Sequence, residues 1–88
     1  MPLSFVPDAF KGIPQRDIKI LVNKAEWIWK HRKDIRHHPL KENLSGYYKR
    51  RIDPYRLIYS YDNDTDEMIV HLAGTRGSIY DDAAKKLS

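Results

Sequence analysis

Apolar residues recur at the spacing of an α-helix along the first third of the chain. Pro14 suits the first position of a helix, and residues 15 to about 35 are predicted to be helical. The stripe that should face the core contains Ile18, Leu21, Val22, Ala25, Ile28 and Trp29. Ile20 and Trp27 point nearly the opposite way. This second apolar patch is either covered by a neighbouring turn or left free for a partner.

Four short segments have the composition of β-strands. Residues 3–6 form a short apolar run closed by Pro7, and residues 47–52, 55–61 and 68–73 are rich in aromatic and β-branched side chains. Asp53 and Pro54 form a tight hairpin and residues 62–66 a looser loop, and such short connections favour an antiparallel meander.

The remaining segments complete an α+β architecture. The His-His-Pro sequence at 37–39 should end the first helix, residues 40–46 are predicted to be loop, and residues 78–87 a short helix with Asp81 and Asp82 near its start. The predicted fold is an antiparallel sheet, extended by an N-terminal strand, with the helices on one of its faces.

Length and composition narrow the class of protein further. A chain of 88 residues corresponds to one small domain, residues 1–88. The absence of cysteine excludes a disulfide framework, a thiolate zinc site and a cysteine nucleophile. No apolar run has the length of a membrane span, and the N-terminus lacks the features of a signal peptide, so we expect a cytoplasmic protein.

Charge is distributed unevenly along the chain. Eight of the 16 basic residues lie between Lys30 and Arg51, opposed there by Asp34 and Glu42 alone, whereas seven of the 12 acidic residues lie between Asp53 and Asp82. This division indicates a polyanionic partner, either a nucleic acid or a strongly acidic protein, or else a solvated helix face.

Three segments resemble the RelE/ParE superfamily of toxins. The run PLKENLSGYYKRRI at 39–52 is similar to the central segment of YoeB-type toxins, and YRLIY at 55–59 matches a strand common to the superfamily. The ending GTRGSIY at 74–80 resembles the close of RelE-type chains. The resemblance implies a RelE-like fold and an endoribonuclease that cuts mRNA, typically inside the ribosome. It also implies a cognate antitoxin that neutralises the enzyme, and no cofactor.

RNA can be cut without metal if the ribose 2′-OH is the nucleophile. Such a reaction needs a base, an acid and fixed cations around the phosphorane. The sequence has no paired-carboxylate or multi-histidine constellation for a metal, so arginine-rich electrostatics is the natural solution.

By the resemblance, Arg56 contacts the scissile phosphate and Arg76 stabilises the phosphorane. The alternative for Arg56 is a surface arginine of its strand. Lys49 aligns with an active-site lysine of RelE-type toxins, and Arg51 with an arginine of YoeB-type ones. Strand alternation places both on one face and Arg50 on the other, where it is either solvent-exposed or in contact with RNA at a distance.

The remaining site residues follow partly from the resemblance and partly from the residue types that RNA binding requires. Tyr80 matches a tyrosine that stacks on or orients a base, although it could instead donate a proton or simply pack. Tyr47 and Lys41 are assigned to RNA binding, Tyr47 as a stacking surface. His38 occupies the position of the YoeB-type general base, a glutamate, and is either that base or polar surface.

The chain departs from the YoeB pattern at its end, where the catalytic histidine of that type is missing. His71 is predicted to be a satisfied core or edge histidine instead. Two other functions are compatible with the sequence. One is a ParE-like toxin that inhibits DNA gyrase, and the other is a nucleic-acid-binding module without catalysis. Clustering of the candidate side chains on one surface would favour RNA cleavage.

Overall fold

The structure is a computed structural model that describes residues 2–41 and 44–87. It consists of a five-stranded mixed sheet with one helix on each face. In chain order the elements are β1 (Leu3–Phe5), α1 (Gln15–Lys30), β2 (His38–Pro39), β3 (Tyr48–Ile52), β4 (Tyr55–Asp62), β5 (Glu67–Thr75) and α2 (Ile79–Leu87). The strand order is β1-β5-β4-β3-β2. Glu42 and Asn43, part of the predicted loop, lie outside the described residues.

The predicted meander is confirmed, and two strands extend it. Strands β3, β4 and β5 pair antiparallel in sequence order, and Asp53 and Pro54, joined by a cis peptide bond, form the turn between β3 and β4. Strand β1 adds to β5 in parallel, and the two-residue β2 adds antiparallel to β3. Strand β2 is not predicted from the sequence, which indicates only the end of the first helix there, because two residues are too few to show a strand period.

The apolar stripe of α1 faces the sheet as predicted. Leu21, Ala25 and Ile28 are fully buried, in a cluster with Leu57 and Tyr59 of β4. Pro14 precedes the helix as its N-cap instead of occupying its first turn. Ile20 and Trp27 remain 58% and 38% exposed, so the expectation that a neighbouring turn covers them is wrong.

Helix α1 ends at Lys30, about five residues earlier than predicted, and side chains beyond it add hydrogen bonds to carbonyls of its last turn. Nδ1 of His31 donates to the carbonyl of Trp27 at 2.9 Å, and a guanidinium nitrogen of Arg32 donates to that of Trp29 at 2.8 Å. The same guanidinium holds Asp66 through bonds of 2.7 and 2.9 Å, and this long-range pair fixes the chain in a turn.

The pair between Arg32 and Asp66 predicts a pH-dependent stability. Hydrogen bonds from Arg32 and then Tyr61 lower the pKa of Asp66. A carboxyl whose pKa is lower in the folded state stabilises the fold above its unfolded value of about 4, and this contribution is lost as the pH falls through the folded value. We expect Asp66→Asn to lower the melting temperature at pH 7, with a difference from wild type that shrinks between about pH 5 and pH 2.

Asparagine suits this test because Asp66 has a positive φ of 56°, a conformation that asparagine also tolerates. Asp64→Asn, in the same loop, is the control and should leave the melting temperature nearly unchanged at both pH values. A difference for Asp66→Asn that is equally large at pH 7 and pH 2, measured by circular dichroism, would contradict the role of the ion pair.

The two helices pack on opposite faces of the sheet, so the prediction that both lie on one face is wrong. Side chains alternate along β4, which sends Leu57 and Tyr59 towards α1 and Ile58 towards α2. Ile58 belongs to a second cluster with Ile79 and Ala83 of α2, together with Leu40 and Leu44 from the segment before β3. We call the side of the sheet that carries α2 the α2 face.

Candidate functional site on the α2 face

Three predicted site residues meet where β2, β3 and α2 approach one another. His38 of β2 is paired directly with Lys49 of β3, so both side chains project from the α2 face. Nζ of Lys49 lies 5.7 Å from the centre of the Tyr80 ring in the first turn of α2, within the range of a cation–π contact. An imidazole, an ammonium group and a phenol therefore lie side by side.

Two arginines lie next to this group on the same face. Arg51 of β3 is paired directly with Arg56 of β4, an arrangement in which like charges repel. Asp53 in the intervening turn offsets the repulsion. Its two carboxylate oxygens share the N–H at Nε of Arg51, at 2.9 and 3.0 Å, and one of them accepts from a terminal nitrogen of Arg56 at 3.3 Å. The hydrogen bond from Arg51 is the main reason that the pKa of Asp53 is lowered, so the carboxylate stays ionised.

The two arginines differ in how firmly they are held. The side chain of Arg56 is only 14% exposed, and its guanidinium also donates to the carbonyl of Tyr55 at 3.0 Å. The side chain of Arg51 is 72% exposed. On its other side Arg56 is paired with Gly74, where an added Cβ would lie 3.2 Å from the side chain of Ile79. Glycine at this position thus lets α2 approach the sheet beside the arginines.

Within residues 2–41 and 44–87, no three histidine, aspartate or glutamate side chains form a group that could hold a metal ion. No helix in those ranges combines the length and apolar character needed to cross a bilayer.

Comparison with solved structures identifies the fold. The toxin–antitoxin complex RelBE2 from Mycobacterium tuberculosis superposes with a TM-score of 0.72 and 20% identity, over 84% of this chain and 88% of that one. The isolated RelE toxin of E. coli gives 0.64 and 18%, over 98% of this chain and 97% of that one. The chain has the fold of RelE toxins. A RelB–RelE antitoxin–toxin complex from Methanococcus jannaschii gives a TM-score of 0.57 and 20% identity, over 88% of this chain and 94% of that one. No protein-family model matches the sequence, and no curated protein matches it significantly.

The other predicted site residues lie outside the group formed by His38, Lys49, Tyr80 and the two arginines. Arg76 is exposed in the turn between β5 and α2, two residues beyond the Gly74 that pairs with Arg56. Lys41 is exposed just after β2. Tyr47 is half-buried and packs against the cluster under α2, with its ring 5.1 Å from that of His71.

Arg50 lies on the opposite face of the sheet from this group. It is half-buried, and its guanidinium carbon lies 5.4 Å from the centre of the Trp27 ring of α1. Its position on the other face agrees with strand alternation, but it is not the solvent-exposed side chain that one alternative expected. Its assignment to RNA binding stays a prediction.

The remaining histidines have structural partners. His71 is the additional residue at a bulge in β5, and its Nε2 lies 2.9 Å from Oγ of Ser60, which confirms a satisfied histidine. Burial, together with the charge of Lys86, lowers the pKa of His71. Nε2 of His37 donates to the carbonyl of Arg32 at 2.8 Å, and Nδ1 lies 2.6 Å from the Tyr59 hydroxyl. Burial raises the pKa of Tyr59 to about 12, which keeps this hydroxyl a donor.

Sequence reasoning missed Asp53 as a member of the site. It interpreted Asp53 only as a turn residue, although the turn lies between Arg51 and Arg56. An acidic residue in a two-residue hairpin with an arginine on each side was the available signal, because such a turn brings both arginines towards one carboxylate.

Proposed function

We propose that this chain is the toxin of a type II toxin–antitoxin pair and cleaves mRNA, in association with the ribosome and without a metal ion. The observation that supports the proposal is the grouping of His38, Lys49, Tyr80, Arg51 and Arg56 on the α2 face. The RelE-like fold agrees with it, since the structural neighbours are RelE toxins and RelE toxins bound to antitoxins.

In the proposed reaction, the ribose 2′-oxygen forms a bond to phosphorus while the bond from phosphorus to the 5′-oxygen breaks. His38 takes the 2′-OH proton, a task that suits an imidazole near neutral pH. Lys49 and Tyr80 are the neighbouring groups with a proton to give to the leaving 5′-oxygen. The products are a 2′,3′-cyclic phosphate and a 5′-hydroxyl.

The arginines stabilise the charge that develops on the phosphorane. Arg56 is fixed by its strand and by the Tyr55 carbonyl, so little reorganisation is required when that charge appears. Arg51 and Arg76, which are more exposed, complete the cationic surroundings when RNA is bound.

Mapping of mRNA ends tests the proposal. The chain is induced in cells without its antitoxin, and 5′ ends are mapped with and without prior phosphorylation of the RNA. New ends inside reading frames that require phosphorylation, and are therefore 5′-hydroxyls, are expected. Growth arrest with intact mRNA and inhibited gyrase would replace the proposal with the ParE-like function, and binding without products would indicate a non-catalytic module.

The exposed patch on α1 is the surface that we assign to the antitoxin. Ile20, Trp27 and Ile52 line a shallow apolar groove beside Asn23 and Lys24. Two cations lie close to the Trp27 ring: Nζ of Lys24 at 4.3 Å from the ring centre and the guanidinium carbon of Arg50 at 5.4 Å. An amphipathic segment with acidic residues beside its apolar ones would satisfy both properties.

We expect Trp27→Ala to weaken antitoxin binding by about thirtyfold, the effect of removing a central aromatic residue from an interface. Cleavage should be unchanged, because Trp27 lies on the face opposite the proposed site. The probe is a synthetic amphipathic helical peptide with acidic residues beside its apolar ones, and titration calorimetry is the measurement. Glu26→Ala, an exposed neighbour outside the groove, is the control. Unchanged affinity for Trp27→Ala would exclude this surface.

A further inference from the structure

The Asp53 carboxylate has the place and the contacts that a phosphate group would take between two arginines. The one N–H at Nε of Arg51 is shared between the two carboxylate oxygens, at 2.9 and 3.0 Å, and a terminal nitrogen of Arg56 donates to one of them at 3.3 Å. Carboxylate and phosphate oxygens are the two groups that the planar guanidinium fork recognises best. Any phosphate that reaches both arginines must therefore compete with Asp53.

We propose that Asp53 is an internal competitor for the RNA phosphate, occupying the space between Arg51 and Arg56 until RNA displaces it. The inference rests on the proposed function for the identity of the ligand, a phosphodiester of single-stranded RNA. Asp53 would thereby lower the affinity for substrate, because an RNA phosphate must bind the two arginines better than this carboxylate does in order to replace it.

The exposure of the three side chains makes the exchange feasible. Asp53 is 62% exposed and Arg51 72%, so water solvates this pair and the ion pair itself is weak. Arg56, in contrast, is held by its strand and by the Tyr55 carbonyl. The carboxylate can therefore swing into solvent while Arg56 stays in place to receive the phosphate.

The same contact has a function in the free protein. Without an anion between them, two directly opposed arginines would repel each other across β3 and β4. Asp53 offsets this repulsion when no RNA is bound, and the RNA phosphate offsets it when RNA is bound. The carboxylate and the phosphate thus exclude each other electrostatically as well as sterically.

Asp53→Asn tests the proposal, because asparagine keeps the shape of the side chain and removes its charge. The probe is a single-stranded RNA oligonucleotide with 2′-O-methyl groups throughout, which cannot be cleaved by 2′-OH attack. We expect the variant to bind it about three- to tenfold more tightly in fluorescence anisotropy. The plot of log affinity against log salt concentration should steepen by about 0.7, the effect of one more phosphate contact.

Asp64→Asn is the matched control, since it makes the same charge change beyond the other end of β4. The eight residues of β4 separate the two aspartates by roughly 26 Å, more than twice the screening length at physiological salt. We expect less than about a twofold change for this variant. An equal gain in RNA affinity for both variants would show that only the net charge of the protein matters, and it would overturn the proposal. Weaker binding by Asp53→Asn would also overturn it, by showing that the carboxylate positions the arginines for RNA.

A double-variant cycle with Arg56→Ala separates this inference from the proposed function. If Asp53 competes for Arg56, Asp53→Asn should gain clearly less affinity in the Arg56→Ala background than in the wild type. An equal gain in both backgrounds would contradict the competition. Because the probe cannot be cleaved, a chain that bound as expected but cut no mRNA would retain the phosphate site and lose only the proposed catalysis.

Discussion

Replacing Arg56 with alanine is expected to reduce mRNA cleavage by about a hundred- to a thousandfold, the usual effect of removing one fixed charge-stabilising donor from an active site. Arg56 is less exposed than Arg51, with which it is paired, and the Tyr55 carbonyl orients it. Its loss leaves Arg51 and Asp53 paired with each other, so the fold should be retained. Cleavage is measured from the yield of new 5′-hydroxyl ends at equal protein levels, together with the release of growth arrest.

Arg50→Ala provides the matched control for this experiment. It removes the same side chain from the adjacent strand, but on the face that carries α1. We expect Arg50→Ala to retain cleavage within about threefold, because any contact of Arg50 with RNA would lie on the face opposite the phosphate that is cut. Equal losses in the two variants would show that bulk positive charge matters and would remove Arg56 from the site.

The main elements of this fold could be predicted from the sequence because their patterns are local. The stripe of Leu21, Ala25 and Ile28 repeats at helical spacing, and the strands alternate around short turns. The end of α1 could not be predicted in this way. Besides the local contacts of His31 and Arg32 with the last carbonyls, it involves the binding of Asp66 by Arg32, 34 positions earlier, and no local pattern contains that signal.

The site was only partly accessible to sequence reasoning for a related reason. Alternation predicted that Lys49 and Arg51 share a face of β3, which the structure confirms. It could not predict which helix covers that face, and we placed both helices on one side. The proximity of Tyr80 to Lys49 depends on α2 packing opposite α1, and therefore on the tertiary structure.

Replacing Ile79 with alanine is expected to release α2 from the sheet and, with it, Tyr80 from the proposed site. Ile79 is fully buried in the cluster beneath α2, against Ile58 and close to Gly74. Truncating a buried isoleucine to alanine costs about 2–5 kcal/mol. A helix of nine residues is not stable alone in water, so its docking contacts hold it in place.

The contacts of α2 are few compared with those within the sheet, so the cost should appear as local opening instead of global unfolding. We expect the backbone amides of α2 to exchange with solvent at least about thirtyfold faster, while those of β4 and β5 keep most of their protection. Cleavage should fall with the loss of Tyr80 from the neighbourhood of Lys49.

Leu21→Ala is the control, because Leu21 is equally buried but lies in the cluster on the α1 side of the sheet. It should lower the stability of the sheet and both helices together, and cleavage should persist wherever the protein remains folded. If the α2 amides of Ile79→Ala instead exchanged at the rate of the sheet amides, α2 would open only with the whole fold. Its loss of cleavage would then follow from instability and carry no information about Tyr80.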